Sequence, residues 1–215
     1  MLVIGAKGFA KEVLEVVHQL NELENLVFYD DVNKDVSEKL FGQFPILKTI
    51  QEATNYFKTV DNRFTIGIGN PILRKQLYDK FITIGGEFTS VISPLAIIGS
   101  YDVKIGVGSN VLSGAVFSNS STIGKGCIIY YNSIITHDCI IGDFVEISPA
   151  VTLLGRCKIG SYSQIGANAT ILPDITIGKN VIIGAGSIVT KDIPENCVVV
   201  GVPARIIKEL TPLEF

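Results

Sequence analysis

The chain has 215 residues, 47% of them hydrophobic and 18% charged, with a net charge of −3 and a pI of about 5.4. Such a composition predicts a well-packed soluble protein of one large domain or two modest ones, not a disordered segment. No Lys/Arg stripe is available to neutralise phosphates, which argues against nucleic-acid binding. No apolar run nears the roughly 18 residues of a membrane span, and the start MLVIGAKGF lacks a basic leader, so a cytoplasmic protein is expected.

From the N-terminus, Leu2-Val3-Ile4 reads as a short buried strand and Gly5-Ala6-Lys7-Gly8 as a turn. Phe9 to Leu20 reads as a helix whose apolar face is Val13, Leu14, Val16, Val17 and Leu20. A second strand, Leu26–Tyr29, ends in Asp30-Asp31. Helices are expected over Thr49–Lys58 and Pro71–Phe81, flanking a strand at Phe64–Ile68 that ends in Gly69-Asn70. Alternating strands and helices imply a small parallel, Rossmann-like sheet. The Gly5/Gly8 spacing is G-x-x-G, short of a full dinucleotide fingerprint. Even so, amides at a helix N-terminus attract phosphate, and acidic residues ending the next strand can meet ribose hydroxyls or a base edge. A plain βα turn with two solvated aspartates is the other reading.

From Ile105 to Pro194 an aliphatic residue returns every six positions; of its fifteen occurrences only Phe117 is not Ile, Val or Leu. Four residues after each comes a small or β-branched residue, from Ser109 and Ala115 through Ser187 and Ile193. On a helix, a step of six would scatter these residues in three directions and define no buried face. Very short strands separated by turns fit instead, which is the mark of a parallel β-helix of stacked 18-residue coils. Ile92 and Ile98 keep the spacing one residue out of register, so the slip lies within Gly99–Lys104.

The 18-residue coil then acts as a ruler. Cys127, Cys139 and Cys157 fall in the inward small-residue slot, and no CxxC pair exists, so they read as small buried hydrophobes. Cys197 lies beyond the repeat. Of two histidines, His18 sits among Val16, Val17 and Leu20 and reads as structural or partly exposed. His137 lies outside the inward slots, in Thr136-His137-Asp138-Cys139, and one coil later comes Gly155. Imidazole is the usual general base near neutral pH, and an unobstructed glycine amide stacked beside it suits a developing oxyanion. A surface histidine is the alternative. Asp138 can orient His137 only if a corner bends the chain between them, because neighbouring side chains on a strand point to opposite faces; Asp143 and Glu146 are the fallback orienters. Outward positions Tyr130, Tyr131, Ile134, Ile140 and Phe144 present more apolar surface than a monomer comfortably shows.

The repeat resembles that of the hexapeptide-repeat acyltransferases. Gly5, Gly8, Asp30-Asp31 and Gly67-Ile68-Gly69-Asn70 ahead of it resemble the bacterial sialic-acid O-acetyltransferases and nucleotide-linked 4-amino-sugar N-acetyltransferases, over essentially the whole chain. The resemblance implies a left-handed prism, where the general crossover rule would suggest a right-handed path. It implies a nucleotide-sugar-binding domain at 1–90, a β-helix acyl-CoA and catalytic domain at 91–202, and a cap at 203–215 with a short helix over Ile206–Leu210. It implies acetyl-CoA as co-substrate without a metal, and a homotrimer binding acyl-CoA between prisms. His137, Asp138 and Gly155 would be catalytic. Gly5, Gly8, Asp30, Asp31, Gly69 and Asn70 would hold the nucleotide-sugar, and Glu146, Gly155, Gly166, Gly184, Lys191 and Arg205 the coenzyme. Two positions depart from the pattern: Glu146 stands where some relatives carry a second histidine, and Tyr130 where they often carry asparagine.

The expected reaction is N-acetylation of a nucleotide-linked 4-amino-4,6-dideoxy sugar for surface-glycan synthesis, by direct transfer with His137 as base. O-acetylation of the sialic-acid type and a nonenzymatic nucleotide-sugar-binding scaffold are the alternatives. A zinc β-helix enzyme would need three histidine ligands, and each chain offers one at a coil position.

Overall fold

The structure, a computed structural model, describes residues 1–33 and 37–214. Its N-terminal part is a six-stranded sheet: β1 (Leu2–Ile4), β2 (Val27–Tyr29), β3 (Lys39–Leu40), β4 (Phe44–Leu47), β5 (Arg63–Ile66) and β6 (Glu87–Phe88), in the order β3-β4-β2-β1-β5-β6. All pairs are parallel except β3 with β4. Three helices connect them: α1 (Gly8–Gln19), α2 (Ile50–Thr59) and α3 (Pro71–Thr83). Helix α2 starts at a reciprocal cap, the Thr49 hydroxyl accepting from the Glu52 N–H while the Glu52 carboxylate accepts from the Thr49 N–H. Helix α3 starts with Pro71 behind an Asn70 cap. Strands β3, β4 and β6 were not anticipated; two of them have two residues each, too few for an alternation to register.

The repeat folds as three parallel ladders. Strands beginning with Val91–Ile92 form the first face, those beginning with Ile97–Ile98 the second, and those beginning with Lys104–Ile105 the third. Successive rungs are offset by 18 residues, as in Thr122 with Ile140 and Ile140 with Lys158. The first coil instead pairs Asn110 with Val91 and Val116 with Ile97, a 19-residue step, while Thr122 pairs with Lys104; the slip lies where the spacing placed it. The aliphatic and small-residue rows fill the interior, from Val111 and Ala115 to Val189 and Ile193. Cys127, Cys139 and Cys157 are fully buried there and reduced, and Cys197 joins them.

Three residues after every aliphatic member but the last, Val189, the backbone turns left-handed: Ser120, Asn132, Asp138, Phe144, Ala150, Arg156, Tyr162, Asn168, Asp174 and Asn180 all have positive φ, as do Gly108, Gly114, Gly126 and Gly186 at the same place. Each turn carries the chain around a corner of the prism.

Two expectations are corrected. The cap over Ile206–Leu210 is not a helix: Ala204–Glu209 is a strand, antiparallel to Cys197–Gly201 at the end of the first face. That strand would otherwise leave an unpaired edge, and the β-branched Ile206-Ile207 pair suits the ladder that closes it. Phe144 and Tyr130 are not free surface either. Phe144 is 0% exposed, and Tyr130 packs on Phe9 with ring centroids 5.2 Å apart.

Both are covered because the α/β unit docks on the first face. Arg74, almost wholly buried, donates to the carbonyls of Gly69, Gly126, Phe144 and Val145. Thr65 donates to the Asn110 side chain at 2.8 Å, and the Asn110 amide donates to the Ile66 carbonyl at 2.9 Å. Phe88 fills the space beside Gly108 that any side chain there would need.

Candidate active site

His137 and Asp138 occupy a corner between the second and third faces. Asp138 is the left-handed residue of that corner, with φ 59°, and the bend brings its Oδ2 to 2.7 Å from His137 Nδ1. The condition for Asp138 to orient His137 is thereby met in the geometry. Both side chains are about half exposed. One coil on, a Cβ at Gly155 would lie 2.6 Å from both Cε1 and Nε2 of His137, so the ring lies across the backbone of that glycine. The Gly155 carbonyl accepts from Asp174, while its N–H has no backbone partner among the described residues.

The left-handed column continues from Asp138 to Arg156 and Asp174. Arg156 donates to both oxygens of Asp174, at 2.5 and 2.8 Å, and that pairing raises the guanidinium above its usual range. This pair was not anticipated, although the 18-residue spacing contains the signal.

The residues expected to hold the nucleotide-sugar converge on a cavity of about 350 Å³ at the C-terminal ends of β1, β2 and β5, lined by Gly5, Gly8, Asp30, Asp31 and Gly69 among others. Gly5 has φ 107°, and its Cβ would meet the Gly67 carbonyl at 2.9 Å. Gly8 opens α1 with nothing within 4 Å of where a Cβ would stand, leaving the helix N-terminus clear for an anion. The acidic pair divides its work. Asp30 is buried and accepts from Val32 and Asn33, building the turn. Asp31 accepts from the Tyr29 hydroxyl at 2.8 Å and from Lys80 at 3.1 Å. Burial alone would raise the Asp31 carboxyl, but Tyr29 and Lys80 outweigh it and hold it below the usual range; burial and Asp31 together push the Tyr29 hydroxyl upward. Asn70 does not line the cavity; its side chain caps α3 by accepting from Leu73.

The expected coenzyme residues do not form one group within the chain. Lys191 and Arg205 line a common cleft of about 360 Å³ at the end of the prism, Lys191 being two coils beyond Gly155. Gly166 and Gly184 lie at the other edge of the second face, where coil stacking requires them. A Cβ at Gly166 would stand 2.6 Å from the Ala185 nitrogen, and one at Gly184 2.7 Å from Val200. Glu146 lies on the first face, beside Gly69, away from the His137 corner of its own chain. Among the described residues, no group of three His, Cys, Asp or Glu side chains is placed to hold a metal ion, and no helix is long and apolar enough to cross a membrane.

Residues 1–81 match the family model described as the PglD N-terminal domain, and residues 156–191 match the bacterial transferase hexapeptide model of six repeats. The acetyltransferase domain of PglB from Neisseria gonorrhoeae is 32% identical, with a TM-score of 0.88 over 96% of this chain and 98% of that one. A variant of perosamine N-acetyltransferase from Caulobacter crescentus, solved with CoA and GDP-perosamine, is 28% identical, with a TM-score of 0.89 over 97% of this chain and 96% of that one. GDP-perosamine N-acetyltransferase of Escherichia coli O157:H7 is 28% identical over 162 residues, 71% of this chain and 69% of that protein.

Proposed function

Because this chain belongs to the hexapeptide-repeat family of bacterial sugar acetyltransferases, we propose that it transfers an acetyl group from acetyl-CoA to the amine of a nucleotide-linked sugar. The class of acceptor follows from relatives named for GDP-perosamine, and a 4-amino-4,6-dideoxy sugar is the specific acceptor inferred here. Our reading has the enzyme working in the cytoplasm.

The observation that carries the mechanism is the stack of Asp138, His137 and Gly155. With Nδ1 donating to Asp138, the imidazole keeps its lone pair on Nε2, the nitrogen that lies over Gly155. Nε2 takes a proton from the sugar amine as its nitrogen bonds to the thioester carbonyl carbon, and the Gly155 N–H meets the oxygen that becomes negative. When the carbon–sulfur bond breaks, the imidazolium returns the proton to the departing thiolate of CoA. The buried cysteines take no part, because their thiols face the prism interior.

The sugar must reach His137 from another chain. Its cavity belongs to a unit docked on the first face, whereas His137 stands at the corner between the second and third faces, opposite that unit. The outward row of the second face, Ile97, Val116, Ile134, Thr152, Thr170 and Ile188, carries no charge and suits burial against a neighbour. A homotrimer with sites between subunits satisfies both features, with Lys191 and Arg205 placed for coenzyme phosphates.

The test is release of CoA thiol in the presence of acetyl-CoA and a nucleotide-linked amino sugar. His137→Ala is expected to lower kcat/KM by about 10²–10⁴-fold with the melting temperature retained. Undiminished turnover in that variant would remove His137 from the chemistry.

A further inference from the structure

Glu146 is outward on the first face, just before inward-facing Ile147, and the α/β unit closes over it so that it is half-buried. Its Oε2 accepts from Gln164 Nε2 at 3.0 Å, one coil further on, and its Oε1 from the Ser148 hydroxyl at 3.5 Å. Both donors are neutral. The cation whose field it feels, Arg74, gives its N–H groups to four backbone carbonyls, and Glu146 makes no ion pair among the described residues. A carboxylate is therefore held at the junction of the two units by neutral donors that orient it, without an ion pair of its own among the described residues.

The strand order says which part of a ligand it would meet. Strand β1 lies between β2 and β5, so the Gly5–Gly8 turn is central in the cavity, with Asp30 and Asp31 on one side and Gly67–Gly69 on the other. A nucleotide-sugar with its diphosphate at the α1 N-terminus and its nucleoside toward the acidic pair has its sugar on the Gly69 side. There, a methyl group on Gly69 would stand 3.6 Å from Glu146 Oε2.

We propose that Glu146 is a positioning residue for the acceptor: its carboxylate receives the N–H groups of the sugar amine and selects amino over hydroxy sugars. This rests on the function proposed above and differs from the coenzyme role expected of the position. The sugar amine brings two N–H donors to the carboxylate, and when it arrives as the ammonium a positive charge as well, releasing that extra proton to solvent before it attacks as the free amine; a hydroxyl brings one donor and no charge, so the charge-assisted bond distinguishes the two.

The experiment compares Glu146→Gln, which keeps the shape and the Gln164 and Ser148 neighbours, with the parent protein. GDP-perosamine and the UDP- and dTDP-linked 4-amino-4,6-dideoxy-glucoses are the acceptors, each matched by the same nucleotide-sugar bearing a hydroxyl in place of the amine. With whichever acceptor the parent acetylates, the variant is expected to raise the acceptor KM by about tenfold or more, leave the acetyl-CoA KM within about twofold, and lose preference for the amino sugar in calorimetric binding. An unchanged acceptor KM and preference, or a rise confined to acetyl-CoA, overturns the assignment while the function stands. If the parent acetylates none of the three, the function falls and this assignment with it. Melting curves and calorimetry on the folded variant separate loss of recognition from loss of structure.

Discussion

At Gly155 the volume of one methyl group decides whether the imidazole keeps its place. Alanine there would put a carbon 2.6 Å from two ring atoms of His137, so the ring must swing away from the amide it faces. Gly155→Ala is expected to lower kcat by about 10²-fold through misplacement of the base, with little change in melting temperature; steady-state kinetics beside a thermal melt checks this, and an unaltered kcat would mean that the ring works from another position. Asp138 is testable without disturbing the corner, because asparagine also tolerates the left-handed backbone. Asp138→Asn keeps the turn and removes the charge that stabilises the imidazolium. A fall in kcat/KM of about tenfold or more is expected from steady-state kinetics, and an unchanged value would take the carboxylate out of the chemistry. His137–Asp138 was legible in the sequence because the two residues are adjacent. That they touch was not, since it depends on the left-handed turn. The turn does leave a trace, however, in the Asn, Asp and Gly that recur at its position.

Among the elements, the junction between helix α3 and the first face depends most on one side chain. Arg74 brings a guanidinium into the interior and donates to four carbonyls, of which Val145 also accepts from the Ile128 N–H. Arg74→Met would fill similar volume yet take the guanidinium from the Gly69, Gly126 and Phe144 carbonyls, while the Val145 carbonyl keeps the Ile128 N–H, and a loss of about 3 kcal/mol in unfolding free energy is expected from denaturant titration. A change under about 1 kcal/mol would show that water replaces the arginine at no great cost. At the other end of the prism, the strand Ala204–Glu209 closes the edge of the first face. Its removal is expected to expose a ladder of unpaired backbone groups and to produce aggregates visible by light scattering. The helical cap over Ile206–Leu210 was implied by the resemblance alone, since so short a segment carries little local signal; its partner strand, Cys197–Gly201, decides the conformation.

For the molecule as a whole, the proposed homotrimer rests on the separation of cavity and histidine. Light scattering at micromolar concentration is expected to give three times the mass of one chain, and a monomer would end the shared-site reading. A mixing experiment tests the sharing itself. Gly8→Leu has room for its side chain, which would occupy the nucleotide-sugar cavity, and His137→Ala lacks the base. Each is expected to be nearly inactive alone, whereas co-refolded mixtures regain turnover, because some interfaces then combine an intact cavity with an intact histidine. No recovery would place both halves of a site in one chain.

The sequence by itself determined the prism, its interior rows, the register slip before Lys104 and the place of Gly155 beside His137. It could do so because every coil has the same length, so that distance along the chain becomes distance in space. The Gly5–Gly8 turn and the strand ending in Asp30-Asp31 were readable for a related reason, since a βα turn is local. Only the tertiary structure decided how the α/β unit sits on the first face. That docking buried Phe144, half-covered Tyr130 and brought Gly69 beside Glu146. It arises from contacts between residues as far apart as Thr65 and Asn110 or Arg74 and Phe144, whose pairing no local period encodes.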